Sequence, residues 1–157
     1  MRNAFFAVLF AGLFLCVSSA FTQSNVTKGL SLDEAKNILR AAETRAEEDD
    51  WTMAIAVVDA GGHLLTFSRK VGTQLASIDL ALEKAKAAVF YERPTKSFQK
   101  GLKGGSTALL SLPHFSGYEG GVPIKHNGEV IGAIGASGMK PPQDGTVANA
   151  GADAFNR

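Results

Sequence analysis

Hydrophobic and polar residues alternate along this chain with the period of a helix in some segments and the pattern of a strand in others. The first such segment has the helical period. Apolar side chains recur every three or four residues between Leu32 and Ala46. Ser31 and Glu34 have the spacing of a capping box, which satisfies free backbone N–H groups at a helix start. We therefore predict a helix from Ser31 to about Glu48.

Two more helices follow from the same pattern. Small and apolar residues form a stripe from about Leu75 to Tyr91, and Pro94 predicts where that helix stops. The stripe consists of Ile78, Ala81, Leu82, Ala85, Ala88 and Val89. A short closing helix is predicted over residues 144–155, because Pro141-Pro142 is expected to interrupt regular structure before it.

Extended segments lie between these helices as two hairpins. Residues 51–58 are apolar on both faces, which predicts a central strand, and residues 63–68 return after a turn at 59–62. Asn127-Gly128 predicts the tight turn of the second hairpin. Residues 96–119 lack a clear period and are predicted to form a long loop. The order predicts an α+β sandwich with one mainly antiparallel sheet.

The second hairpin is unusually rich in glycine. Gly132, Gly135 and Gly138 recur every third residue where a strand ordinarily carries β-branched side chains, and Gly121 precedes them on the partner strand. Such positions indicate that something approaches the backbone closely. The alternatives are a helix of the same chain, a second subunit or a flat ligand.

The first twenty residues have the pattern of a cleaved secretory signal. Arg2 precedes an apolar run from Ala4 to Val17, and Ser18-Ser19-Ala20 offers small residues for cleavage after Ala20. Residues 21–29 are polar and predict a flexible mature N-terminus, and residues 30–157 form one domain. We expect a periplasmic or secreted protein with no membrane insertion after cleavage.

The composition limits the kinds of ligand and metal site that this chain can be expected to have. The formal net charge is +1, which gives no reason to expect a nucleic-acid partner, and Cys16 is the only cysteine. The three histidines show no chelating pair, so no metal site is predicted. His114 lies beside Phe115 and near Tyr118, whose rings could pack on a planar ligand. Arg69 could neutralise a carboxylate of a ligand.

Several segments taken together resemble the GlcG/HbpS family, also called the haem-degrading or DUF336 family, which includes the C-terminal domain of PduO-type proteins. They are Leu30–Ala35, Val57–Leu64, Ala76–Ile78 with Lys84-Ala85, Arg93–Thr95, Gly120–Ile124 and Gly132–Gly138. The resemblance spans about residues 30–155. It implies a profilin-like sandwich with a central antiparallel sheet flanked by helices, assembly into dimers or larger oligomers, and binding of haem or corrinoids, in some members beside a sensor protein.

The first functional hypothesis is an exported, oligomeric tetrapyrrole-binding protein for sensing, storage or transfer, with haem favoured over corrinoid. Its predicted site residues are Phe67, Arg69, His114, Phe115, Tyr118, Gly121, Gly132 and Gly135. The second hypothesis is an enzyme acting on a small organic acid, with Arg69 holding a carboxylate and Asp59 or Glu119 moving a proton. The third is a structural interaction module whose glycines serve only packing.

Overall fold

A computed structural model describes residues 28–155 of the chain. The predicted signal peptide and most of the predicted flexible N-terminus lie outside the described residues. In chain order the elements are α1 (Leu32–Glu48), β1 (Ala54–Asp59), β2 (Leu64–Arg69), α2 (Ala76–Phe90), α3 (Lys96–Lys103), a short 3₁₀ helix (Thr107–Ser111), β3 (Gly121–His126), β4 (Glu129–Ser137) and α4 (Pro141–Phe155).

The four strands form one antiparallel sheet in the order β2-β1-β4-β3. Strand β1 is central, as its two apolar faces predict, and Ala54–Val58 are all buried. Ile55 and Val57 pack in a core with α1 and α4, whereas Ala54 and Ala56 pack against α2 on the opposite face. The predicted α+β sandwich, with helices on both faces of an antiparallel sheet, is confirmed.

Helix α1 begins with the predicted capping box. The Ser31 Oγ accepts from the Glu34 N–H at 3.3 Å, and the Ser31 N–H donates to the Glu34 carboxylate at 3.0 Å. Lys28 Nζ also donates a hydrogen bond to the Glu34 carboxylate at 2.7 Å. This bond from Lys28, followed by the bonds from Ser31, lowers the pKa of Glu34 from 4.5 to about 2.

The charge on Glu34 should make the stability of α1 depend on pH. Because the folded-state pKa of Glu34 is depressed, its contribution is present above about 4.5 and is lost as the pH falls toward 2. We expect the melting temperature of the wild-type protein to fall more across this range than that of Glu34→Gln, which keeps the cap without titrating. Equal acid sensitivity of the two proteins would contradict the assignment.

Two sequence predictions about element boundaries are wrong. Residues 96–119 contain α3 and the 3₁₀ helix rather than one long loop, and Phe98 is the residue of α3 that is buried. Pro141 and Pro142 begin α4 instead of delaying it to Asp144. Proline fits the first turn of a helix, because the N–H group that it lacks has no intrahelical acceptor there.

Candidate functional site

Glycines in the two strands of the second hairpin lie directly against other protein atoms. A side chain at Gly135 would overlap the Ala81 carbonyl oxygen and lie 2.6 Å from the Ala85 nitrogen, and one at Gly121 would overlap the carbonyl of Lys84. Helix α2 therefore lies directly on the backbone of β3 and β4. A helix of the same chain, the first of the three alternatives, explains the missing side chains at these two positions.

Gly132 is enclosed in the same manner by other parts of the chain. A side chain there would lie 2.5 Å from the Val58 carbonyl oxygen and 2.9 Å from the Leu30 side chain. Protein atoms fill the space beside Gly121, Gly132 and Gly135, so in the described fold these glycines do not line an open cavity.

The sheet separates the predicted residues of β2 from those that precede β3. Phe67 is half-buried and packs against Ala54, Ala56 and Ala81. Arg69 lies at the end of β2 in a cleft of about 190 Å³ that also includes Trp51. Strands β2 and β3 are the opposite edges of the sheet, about 14 Å apart at ordinary strand spacing.

Phe115 and Tyr118 are brought together, with residues that the sequence did not indicate. They line an open cavity of about 480 Å³ with Leu102, Leu110 and Lys103, which we call the apolar groove. Leu110 and Tyr118 are 64% and 60% exposed, unusual values for large apolar and aromatic side chains. The groove thus offers accessible apolar surface with a cation among its lining residues.

Aromatic contacts hold the groove in place. The ring of Phe115 meets that of Phe98 edge to face at 5.5 Å, and Phe98 meets Tyr91 in the same geometry at 5.1 Å. The Tyr91 hydroxyl donates to the Pro113 carbonyl at 2.6 Å, which ties the loop to the end of α2. The segment that carries Phe115 and Tyr118 is therefore anchored on a buried ring.

His114 takes a different position from its neighbours. Its backbone has a φ of 52°, in the left-handed region, and its ring lies 4.6 Å from that of Phe90. His114 is not among the residues that line the apolar groove. The structure thus brings two of the three predicted loop residues into one cavity and places the third against the end of α2.

A buried ion pair lies next to the apolar groove. Lys84 Nζ is 2.6 Å from the Asp144 carboxylate and donates to the Ala136 carbonyl at 3.0 Å. The Lys84 and Asp144 side chains are only 2% and 3% exposed. The other Asp144 oxygen accepts from the Met139 N–H at 3.0 Å. The pair therefore ties α2 to α4 and to the link that follows β4.

A small opening reaches this pair from the surface. Lys84 and Asp144 line a cleft of about 170 Å³, the ion-pair cleft, whose other residues include Ser77, Ser137 and Tyr118. Burial lowers the pKa of Lys84 and raises the pKa of Asp144, and the attraction between the two charges opposes both changes. Tyr118 and Pro141 line the cleft and the apolar groove alike.

The carboxylates proposed for an enzyme are engaged elsewhere. Asp59 accepts from the N–H groups of Gly61 and His63 at 2.9 Å in the hairpin turn, and Glu119 pairs with Lys96 at 3.0 Å. Asp59 ends β1, whereas Arg69 pairs with the first residue of that strand, about 16 Å away. Within one chain, therefore, Arg69 and Asp59 do not form the organic-acid site of the second hypothesis.

Within residues 28–155 there is no group of three or more histidine, cysteine or acidic residues arranged to hold a metal ion. In the same part of the chain no helix combines the length and apolar character needed to span a bilayer.

These features define a small α+β domain that presents an accessible apolar groove next to a buried ion pair. The chain belongs to the HbpS-like family: the sequence profile described as "Haem degrading protein HbpS-like" matches residues 30–153. The resemblance inferred from the sequence is confirmed.

Relatives agree with this assignment. Protein GlcG of Escherichia coli K12 is 38% identical over 108 residues, which cover 69% of this chain and 81% of that protein. A crystal structure of an HbpS double mutant from Streptomyces reticuli is similar, with a TM-score of 0.75, 32% identity and coverage of 96% and 97% of the two chains. A PduOC:haem complex has a TM-score of 0.74 and 27% identity, covering 82% of this chain and 96% of that one.

Proposed function

We propose that this protein binds a tetrapyrrole, haem in preference to a corrinoid, in the apolar groove. The observation that carries the proposal is the combination of exposed apolar side chains with a cation in one open cavity. A structurally similar protein, PduOC, forms a complex with haem, and this supports the choice of ligand. Haem needs apolar contact for its macrocycle and positive charge for its carboxylates.

The groove residues fit that group. Leu102, Leu110 and Phe115 would contact the flat face of the macrocycle, and Lys103 would pair with a carboxylate. Tyr118 is the groove residue with an oxygen that suits iron, since His114 lies against Phe90. When bound, haem would supply an iron centre for redox chemistry or for binding a small ligand. The open groove predicts weak, exchangeable binding, as expected for sensing, storage or transfer.

Export and assembly are part of the proposal. The N-terminal apolar run supports secretion to the periplasm or beyond. Leu75 and Leu80, at the start of α2, are 75% and 39% exposed, and they support burial against another copy of this chain. A sensor protein remains the proposed partner for a signalling role.

Haem titration of the purified protein tests the site. We expect a Soret shift at micromolar haem in the wild-type protein and binding weaker by about tenfold or more in Leu110→Asp. The new carboxylate removes apolar contact and repels the haem carboxylates. Absorbance at the Soret band gives the dissociation constants, and a parallel titration with a corrinoid tests the preference.

Leu64→Asp is the matched control. Leu64 is also an exposed leucine, at 51%, but it lies on β2 at the opposite edge of the sheet from β3. This variant should bind haem as the wild-type protein does. The proposal fails if the wild-type protein gives no Soret shift, or if both variants weaken binding equally.

A further inference from the structure

The ion-pair cleft contains a nucleophile that haem binding does not use. The Lys84 side chain is only 2% exposed, yet this residue lines a cleft that also includes the surface residues Met139 and Tyr118. A lysine buried among alanines is unusual, because burial penalises the charged amine unless a partner compensates it. The partner here is a carboxylate at 2.6 Å.

We propose that Lys84 forms an imine with a small neutral carbonyl compound that enters the ion-pair cleft, with Asp144 moving the protons. An amine next to a carboxylate is what this reaction requires, since the amine must lose a proton before it attacks and the departing oxygen must gain one. The proposal does not rest on haem binding in the apolar groove.

Each proton in this reaction has a place. Asp144 takes a proton from the Lys84 ammonium, and the free amine forms a C–N bond to the carbonyl carbon. The carbonyl oxygen then takes the proton from Asp144 and becomes a hydroxyl group. Asp144 removes a second proton from the nitrogen and gives it to that hydroxyl, which leaves as water while the C=N bond forms. The product is a protonated imine, with no change in oxidation state.

The charges around the cleft favour a neutral ligand. Asp144 balances the charge on Lys84, and the buried Glu119 adds a further negative charge within range of Lys84. Lys96 balances Glu119 at 3.0 Å from the outside. An anion would therefore find no net positive potential in the cleft. A volume of about 170 Å³ admits only a small molecule.

The hydroxyl groups of the cleft complete the site. Ser77 and Ser137 line it and are themselves buried, and Tyr118 stands at its exposed side. Hydroxyl groups can donate to a carbonyl oxygen or to the hydroxyl of the intermediate. The downward direction of the Lys84 pKa supports the same role, because a larger fraction of the amine is then uncharged at neutral pH.

Reductive trapping of the wild-type protein tests the proposal. The purified protein is incubated at neutral pH with limiting acetaldehyde and sodium cyanoborohydride, which converts an imine into a stable ethyl amine. Peptide mapping by mass spectrometry then gives the ethylation rate at each lysine. We expect Lys84 to react faster than Lys86 by about tenfold, as a lower amine pKa next to a proton acceptor predicts.

Lys86 is the matched internal control, since it lies on the same helix and its side chain is 28% exposed. If Lys84 reacts no faster than Lys86, the proposal is wrong. Asp144→Asn keeps an acceptor for the Met139 N–H. It should slow reaction at Lys84, because the loss of the proton carrier outweighs the further fall in the Lys84 pKa, and it should leave reaction at Lys86 unchanged. The trapping comparison needs only the wild-type protein, so it decides the question even if this variant does not fold. Its failure would leave the haem proposal untouched.

Discussion

Replacing Gly135 with alanine is expected to lower the free energy of unfolding by about 3 kcal/mol or more. The new methyl group would overlap the Ala81 carbonyl oxygen and lie 2.6 Å from the Ala85 nitrogen. Both neighbours are backbone atoms of α2, so no side chain can rotate away and the helix must move off the sheet. Urea unfolding followed by circular dichroism measures the loss.

Gly29→Ala separates this effect from a general cost of losing a glycine. No atom lies within 4 Å of a side chain built at Gly29, which is exposed and precedes α1. We expect its stability to stay within about 0.5 kcal/mol of the wild-type value. A Gly135→Ala protein as stable as Gly29→Ala would mean that α2 does not press on β4 as the structure shows.

Local patterns were sufficient for most of the fold because each element carries its own signal. The capping box of Ser31 and Glu34 marked the start of α1, and Asn127-Gly128 marked the turn between β3 and β4. The prediction failed where position in the element decides the outcome. Pro141 breaks a helix interior but suits the first turn of α4, and Phe98 is a lone buried residue on a helix of eight residues.

The site was harder to predict because its parts are distant in sequence. Lys84 and Asp144 are 60 residues apart, and no local spacing pairs them. One signal was available: Lys84 falls in the stripe of Ala81, Ala85 and Ala88, at a position that faces the sheet. A lysine in such a stripe indicates a buried charge that needs a partner. Loop residues such as Phe115 and Tyr118 were predicted individually, but their cavity depends on α3, which the sequence did not reveal.

The second large effect is expected at the ion pair. Lys84→Met leaves the Asp144 carboxylate buried without its cation, and we expect a loss of about 3–5 kcal/mol in the free energy of unfolding. Without Lys84 the folded-state pKa of Asp144 should rise further, because burial then acts unopposed by the lysine charge. A raised folded pKa means that the deficit shrinks as the pH falls toward 3.8, the ordinary carboxyl value.

Lys86→Met supplies the control for this variant. Lys86 is on the same helix and pairs with Glu83 at 3.0 Å, but the pair is partly exposed, and we expect a change within about 0.5 kcal/mol. Urea unfolding at several pH values compares the two variants. A loss at Lys84 that does not depend on pH would indicate poor packing of methionine rather than an unpaired carboxylate.

The double variant Lys84→Met with Asp144→Asn tests whether the charged pair contributes to the free energy of unfolding. It removes both charges, and asparagine retains an oxygen for the Met139 N–H. Because neutral replacements of buried ion pairs are often as stable as the pair itself, we expect this variant to recover most of the stability that Lys84→Met loses. Such recovery would mean that stability does not require the charged pair. The chemistry proposed for Lys84 would then give a reason for a charged pair beneath an open cleft. If the double variant instead stays as unstable as Lys84→Met, the charged pair is a net source of stability.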